Sequence, residues 1–464
     1  MNITGFVAAG FERVREAFAQ NFADGLEHGA CFAAYLGDEL VVDLRGGFAD
    51  RAGTIAWDER TLCPVYSSTK PIGALVIAML VERGLLDYEA RVADYWPEFA
   101  ANGKAAVTVG QALSHQAGLP GFPDAIDPAL WLDPPALSAE LARLAPMWPL
   151  GEGSGYHPLT WGYIAGELVR RVSKRSLGTI LREDVCGPQG IDFWIGLPES
   201  EHGRCAELLK PKAAAQFPHK NAETRAAFLT PWAAAPRGTT EWRKAEIPSA
   251  NGHGTAPAMA RLYSAFAQKG RIGDTRVIAP VTWDELTRER VAGEDRVLPG
   301  RVAFGAGVMR NLPLIYGPNP ETLCHSGWGG SGAFGDPATG LSGAYIMNRQ
   351  GTHLLEDVRR STLIDALYGC LKGARSRMRA GDLACGDELG VFARFQDHGR
   401  QRAAEAGPGV DIDAAEFQLG AEVDRRVAMD DGKAFEFGPR GPSLVVEEPL
   451  RTRPEIGVLA LVGE

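Results

Sequence analysis

The strongest constraint on how this chain folds is the run that follows Lys70-Pro71. From Ile72 through Gly73, Ala74, Leu75, Val76, Ile77, Ala78, Met79 and Leu80 to Val81, no side chain is polar. A helix that is apolar on every face belongs inside a protein, so this segment is expected to be a central, buried helix. Proline is tolerated only in a first helical turn, which puts the helix start close to Ser67. Ser67 and Lys70 then lie three residues apart on one face, near enough for ammonium and hydroxyl to meet. Burial and the positive end of the helix dipole both lower a lysine pKa, and a neutral amine can accept a serine proton. The plainer alternative is an N-capping serine followed by a surface lysine. Ser67-x-x-Lys70 is the one S-x-x-K among the ten lysines of the chain. These residues alone leave both readings open.

The rest of the sequence narrows the class. A chain of 464 residues with 45% hydrophobic residues can bury a sizeable core. Its formal charge of −10 argues against a nucleic-acid partner. No stretch reaches the length of a membrane span, and the N-terminus lacks a basic-then-apolar leader, so the expected address is the cytoplasm, with no membrane partner. Seven dispersed cysteines, none in a C-x-x-C pair, read as reduced thiols. His28, His202, His219, His353 and His398 have no partners at ligand spacing, and no phosphate-binding or dinucleotide-binding glycine loop is present. Neither a metal nor a cofactor is expected. A G-x-S-x-G nucleophile elbow is absent as well.

Residues 5–27 read as an amphipathic helix, and Cys31–Leu36 with Leu40–Leu44 as two strands about a tight turn. A long helical, loop-rich middle follows, in which 211–256 is irregular and suits a lid or pocket wall. Strand signals return at 333–336 and 342–347, ahead of a helix at about 354–371. Strands at both ends with helices between them suggest one α/β unit, a sheet interrupted by a helical insertion. Residues 374–464 are acidic and carry short strand-like runs, so they read as a C-terminal extension of unassigned role, either a small β-rich module or a poorly packed tail.

Two further stretches stand out. Gly151-Glu152-Gly153-Ser154-Gly155-Tyr156-His157-Pro158 places a tyrosine on a glycine-rich loop ahead of a helix. Cys324-His325-Ser326-Gly327-Trp328-Gly329-Gly330 places a histidine among glycines that would let a ligand approach the backbone. Each alone is as well explained by packing. In this order and spacing, however, Ser67-x-x-Lys70, Tyr156 and His325-Ser326-Gly327 resemble the serine β-lactamase-like superfamily. So do Leu113-Ser114-His115-Gln116-Ala117-Gly118-Leu119-Pro120 and Ala93-Asp94-Tyr95-Trp96-Pro97. The likeness, over about residues 5–373, is to the family VIII carboxylesterases, with class C β-lactamases and D-alanyl-D-alanine peptidases further off.

The resemblance implies an antiparallel sheet flanked by helices (about 1–65 and 320–373) with an inserted helical domain (about 66–319). It makes Ser67 the acylated nucleophile, Lys70 its proton acceptor, Tyr156 a base that later protonates the leaving group, and His325 an electrostatic support. The backbone N–H groups of Ser67 and Trp328 would form the oxyanion hole. His157, Trp161, Gly327, Trp328 and Gly329 would shape the substrate site, and Trp148, Trp232 and Trp242 are open to either packing or pocket lining. Where β-lactamases have asparagine two residues after the tyrosine, this chain has Pro158, which has no side-chain donor for a lactam amide. The resemblance therefore implies a serine hydrolase of small carboxylic esters. An acyltransferase, amidase, D-aminopeptidase or β-lactamase of the same fold stays open, as does a penicillin-binding-like receptor that acylates without turnover. The partner expected is a small ester, and the sequence leaves self-association into a homo-oligomer open.

Overall fold

The computed structural model describes residues 2–379 except 212, 214, 216, 218, 235 and 236. Its framework is a nine-stranded antiparallel sheet built from β1 (Ile3–Val7), β2 (Gly29–Leu36), β3 (Glu39–Gly47), β4 (Val291–Glu294), β5 (Arg301–Phe304), β6 (Met309–Arg310), β7 (Leu323–Ser326), β8 (Gly332–Asp336) and β9 (Leu341–Met347). The spatial order is β1-β3-β2-β9-β8-β7-β6-β5-β4. The chain thus closes the sheet by laying β9 against β2, Met347 opposite Ala30 and Leu341 opposite Leu36.

Helices cover both faces. α1 (Glu12–Ala23) packs on the C-terminal α5 (Val358–Arg379) over one face. On the other, α4 (Ala256–Ala267) lies across β9, β8 and β2 and meets α2 (Lys70–Glu82), which packs on α3 (Thr160–Ser173). Strand alternation separates the faces. Phe334 stacks on Tyr368 of α5, whereas an added Cβ on the next residue, Gly335, would meet the Tyr263 carbonyl of α4 at 2.4 Å. In β7 the same alternation sends His325, paired with Ala333, to the face that α4 covers.

The apolar run forms the buried helix that its composition requires: every residue from Lys70 to Leu80 of α2 is buried. Trp161 of α3 packs on it with no exposed surface. Gly73 and Gly307 make room for the indole; an added Cβ would fall 3.3 Å and 2.6 Å from it, and Gly307 is also at φ +90°. The indole Nε1 donates to the Leu113 carbonyl at 2.9 Å.

Three readings of the sequence change. Residues 5–27 are not one helix: Gly5 and Gly10 take positive φ of 94° and 90°, Ile3–Val7 pairs with β3 as an edge strand, and only Glu12–Ala23 is helical. The helical insertion ends near 290 rather than 319, because β4, β5 and β6 belong to the sheet. They are two to four residues long, too short for a period-two pattern to show. Finally, the last helix starts at Val358, not 354, and runs past residue 373. The β-rich extension expected after it lies, from residue 380 on, outside the described residues. No helix among the described residues is long and apolar enough to cross a membrane.

Replacing Trp161 by Ala should lower unfolding stability by about 3–5 kcal/mol, the usual range for emptying a buried aromatic site. A denaturant titration of both proteins followed by far-UV circular dichroism measures it.

Candidate active site

Ser67 sits on the one-turn 3-10 segment Tyr66–Thr69 that leads into α2. The residue before it, Tyr66, has φ +50°, a left-handed angle that a bulky side chain adopts only when its surroundings enforce it. Those surroundings come from four places. The Gln350 amide donates to the Tyr66 hydroxyl at 2.8 Å, and Tyr263 of α4 donates to the Ser68 carbonyl at 2.8 Å. Ser331 donates to the Val65 carbonyl at 2.9 Å, and Ser68 to the His325 carbonyl at 3.1 Å. Gly327 permits this approach, since a Cβ there would lie 2.3 Å from the Val65 carbonyl oxygen.

Lys70 is wholly buried, with Nζ 3.2 Å from Ser67 Oγ, 2.7 Å from the Pro158 carbonyl and 3.0 Å from the Ser249 carbonyl. Burial holds its pKa well below the usual lysine range. The two carbonyls can only accept, so they take both N–H bonds of a neutral amine. The lone pair is left for the Ser67 hydroxyl. Pro158 thus takes part through its backbone, although its side chain offers no donor.

The Tyr156 ring lies beside this amine, its centroid 4.8 Å from Nζ. Its loop is anchored by a residue that the sequence did not disclose. Asp295, 2% exposed, accepts from the backbone N–H groups of Tyr156, Val297 and Leu298 at 2.9 Å each, and from Ser154 Oγ at 2.8 Å. Burial raises the Tyr156 pKa; the adjacent Ser67 draws it part of the way back, without a well-aligned hydrogen bond to the phenol. Tyr156 therefore stays a neutral phenol in the resting site.

Three buried imidazoles surround the tyrosine, and backbone groups set their tautomers. His157 Nδ1 donates to the Gly155 carbonyl at 2.6 Å while its Nε2 accepts from Leu119 N at 3.0 Å. His115 Nδ1 accepts from His157 N at 3.1 Å. His325 Nδ1 donates to the Ser326 carbonyl at 2.8 Å, so Nε2 is a buried acceptor with no partner among the described residues. Burial pushes His157 and His325 down to about 3 and His115 well below its ordinary value, so all three are neutral.

A cavity of about 80 Å³ opens beside Ser67, walled mainly by Trp131, Leu159, Phe228, Trp242, Ile247 and Trp328. Trp242 and Trp328 are therefore pocket residues. Trp161 and His157 are not: the first is core against α2, and the second has both ring nitrogens bound to backbone. Trp148 is buried against His157, and Trp232 props the wall from behind, accepting from Trp131 Nε1 at 2.8 Å. Gly329 takes φ +85° in the turn after Trp328 and packs on Gln350. The irregular stretch 211–256 supplies much of the wall, including Phe228, Trp242 and Ile247.

Comparison with known proteins matches this picture. The family model described as Beta-lactamase matches residues 17–367. Esterase/beta-lactamase LipL of Mycobacterium tuberculosis is 37% identical over 357 residues, which are 73% of this chain and 81% of that protein. A penicillin-binding protein homolog from Caulobacter crescentus is 54% identical, with a TM-score of 0.78 over 80% of this chain and 100% of that one. A family VIII carboxylesterase is 42% identical, with a TM-score of 0.75 and the same coverage.

If the Lys70 lone pair activates Ser67, covalent labelling of the serine by a fluorophosphonate should be fast above the lysine pKa. It should slow as the pH falls through that value and the amine takes a proton. Lys70→Met should slow labelling by about 10²–10⁴-fold at every pH and abolish that acid limb. Labelling rates from pH 5 to 10 provide the check.

Proposed function

The chain belongs to the Beta-lactamase family, and on that premise we propose that it is a carboxylesterase that hydrolyses small esters through an acyl-serine. The observation carrying this reading is the pairing of Ser67 with a buried amine whose two N–H bonds face carbonyls, beneath an apolar cavity.

In the proposed cycle, Ser67 Oγ attacks the ester carbonyl carbon while its proton passes to Lys70 Nζ. The carbonyl oxygen becomes an oxyanion, held by the N–H groups of Ser67 and Trp328. Collapse of this intermediate expels the alkoxide, which takes the Tyr156 phenolic proton; Lys70 returns its extra proton to the tyrosine oxygen. The alcohol leaves and the acyl group stays on Ser67. Water then attacks the acyl-serine by the same route, giving up its proton to Lys70, and Ser67 recovers its hydrogen as the acid departs. His325, neutral and 5.8 Å from Tyr156 between ring centroids, supports the phenol without charging it. Asp295 holds the backbone of Tyr156 in place and touches no substrate.

Esters are favoured over β-lactams because Pro158 offers no amide-binding side chain and the cavity wall is largely aromatic and aliphatic. Both curated relatives carry esterase in their names, which supports ester hydrolysis, although LipL carries beta-lactamase as well.

Turnover of p-nitrophenyl acetate and butyrate should be readily measured, while nitrocefin should remain intact. Ser67→Ala should lower ester turnover by about three orders of magnitude or more. Tyr156→Phe should lower it by about 10²–10⁴-fold. Esterase activity surviving in Ser67→Ala would remove the mechanism, and a single stoichiometric burst with no further release would replace it by a receptor that acylates once.

Asp295→Ala should reduce kcat at least tenfold with KM changed less than about threefold, because it frees the catalytic loop and not the pocket. Steady-state kinetics on p-nitrophenyl butyrate separate the two parameters.

A further inference from the structure

The cavity beside Ser67 contains one charged side chain among its described lining residues, Arg237. Its guanidinium carbon lies 5.0 Å over the Trp328 ring and 6.0 Å from the Tyr66 ring centroid. Both rings belong to the reacting region, since Tyr66 precedes the nucleophile and Trp328 borders the expected oxyanion site. The guanidinium also lies within hydrogen-bonding reach of the Tyr66 hydroxyl, and the other N–H bonds of its planar fork can meet an anion. Among the described residues no carboxylate pairs with it, whereas Arg204, Arg290, Arg296 and Arg359 each have acidic partners.

Arg237 also stands where the cavity meets a wider groove of about 1210 Å³. The described groove residues include four cations, Arg51, Lys210, Arg237 and Arg243, and one acid, Glu207. That acid already accepts from the backbone N–H of Arg51 at 2.8 Å. A basic approach to the nucleophile runs against the overall charge of −10, and a cleft lined by one sign of charge concentrates substrates of the other.

We propose that the site is built for esters that carry an anionic group such as a carboxylate, drawn in by the basic groove and fixed by Arg237. This names a substrate class for the esterase and rests on that reading. A carboxylate meeting the guanidinium edge-on forms two parallel charge-assisted hydrogen bonds, while the apolar walls hold the carbon chain. Arg237 is then the residue that sets specificity, and the proton transfers remain with Ser67, Lys70 and Tyr156.

The test compares kcat/KM on matched pairs of esters. Mono-p-nitrophenyl glutarate against p-nitrophenyl butyrate places the anion on the acyl side; 4-carboxyphenyl butyrate against phenyl butyrate places it on the alcohol side. The expected result is that Arg237→Gln lowers the anionic-to-neutral ratio by about 10–100-fold for one pair, mainly through KM. Arg237→Lys, which keeps the charge but not the planar fork, should retain part of the ratio. Raising sodium chloride from 20 mM to 500 mM should lower the wild-type ratio as well, because the groove acts through solvent. A ratio unchanged by Arg237→Gln for both pairs, in a variant that still labels with fluorophosphonate, overturns the inference. Wild-type protein that hydrolyses none of the four esters would instead overturn the esterase reading.

Discussion

Burying an amine without a carboxylate beside it is costly, and the site is arranged around how Lys70 bears that cost. A carboxylate partner would satisfy the lysine by fixing it as an ammonium, which cannot accept a proton. Two backbone carbonyls satisfy it just as fully in its neutral form. Each carbonyl is then a constraint on the chain. Pro158 follows the Tyr156 loop, so the loop must come close to α2. Ser249 caps the other side; its hydroxyl donates to the Leu159 carbonyl at 2.7 Å, and an added Cβ on Gly162 would lie 2.6 Å from its backbone nitrogen. The lysine thereby holds α2, the start of α3 and the 247–254 stretch in one arrangement.

The same logic explains the histidines. Three imidazoles packed around a buried amine would repel one another and the lysine if they were charged. Backbone partners instead fix His115 and His157 as neutral tautomers and leave His325 Nε2 as an acceptor. The surroundings of Tyr156 therefore carry polarity without net positive charge, and the phenol keeps its proton in the resting site. Asp295 contributes a negative charge here, but it is spent on three backbone N–H groups and a serine hydroxyl.

What could be read in advance follows from where the signals are local. Ser67, Lys70 and the buried helix lie within one segment whose composition dictates its burial. Tyr156 and His325 lie in glycine-marked stretches that a resemblance could align. Asp295, Ser249 and Gln350 act on backbone groups or on side chains tens to hundreds of residues away, and nothing in their own neighbourhoods marks them. Trp161 shows the opposite failure: an aromatic five residues after Tyr156 suggests a pocket wall, yet at the second position of α3 it points into the core. Arg237 lies in the irregular wall segment, where no period exists to say which side chains face inward.

The turn around Ser67 also has a consequence in time. Tyr66 is held at its left-handed angle from Gln350, and the turn is tied down by Ser68 to strand β7 and by Ser331 to Val65. During synthesis the serine leaves the ribosome about 280 residues before that glutamine does. Through that interval the nascent chain carries Ser67 and Lys70 but not the clamp that shapes them. The turn that sets Ser67 beside Lys70 is fully clamped only when β9 has joined β2.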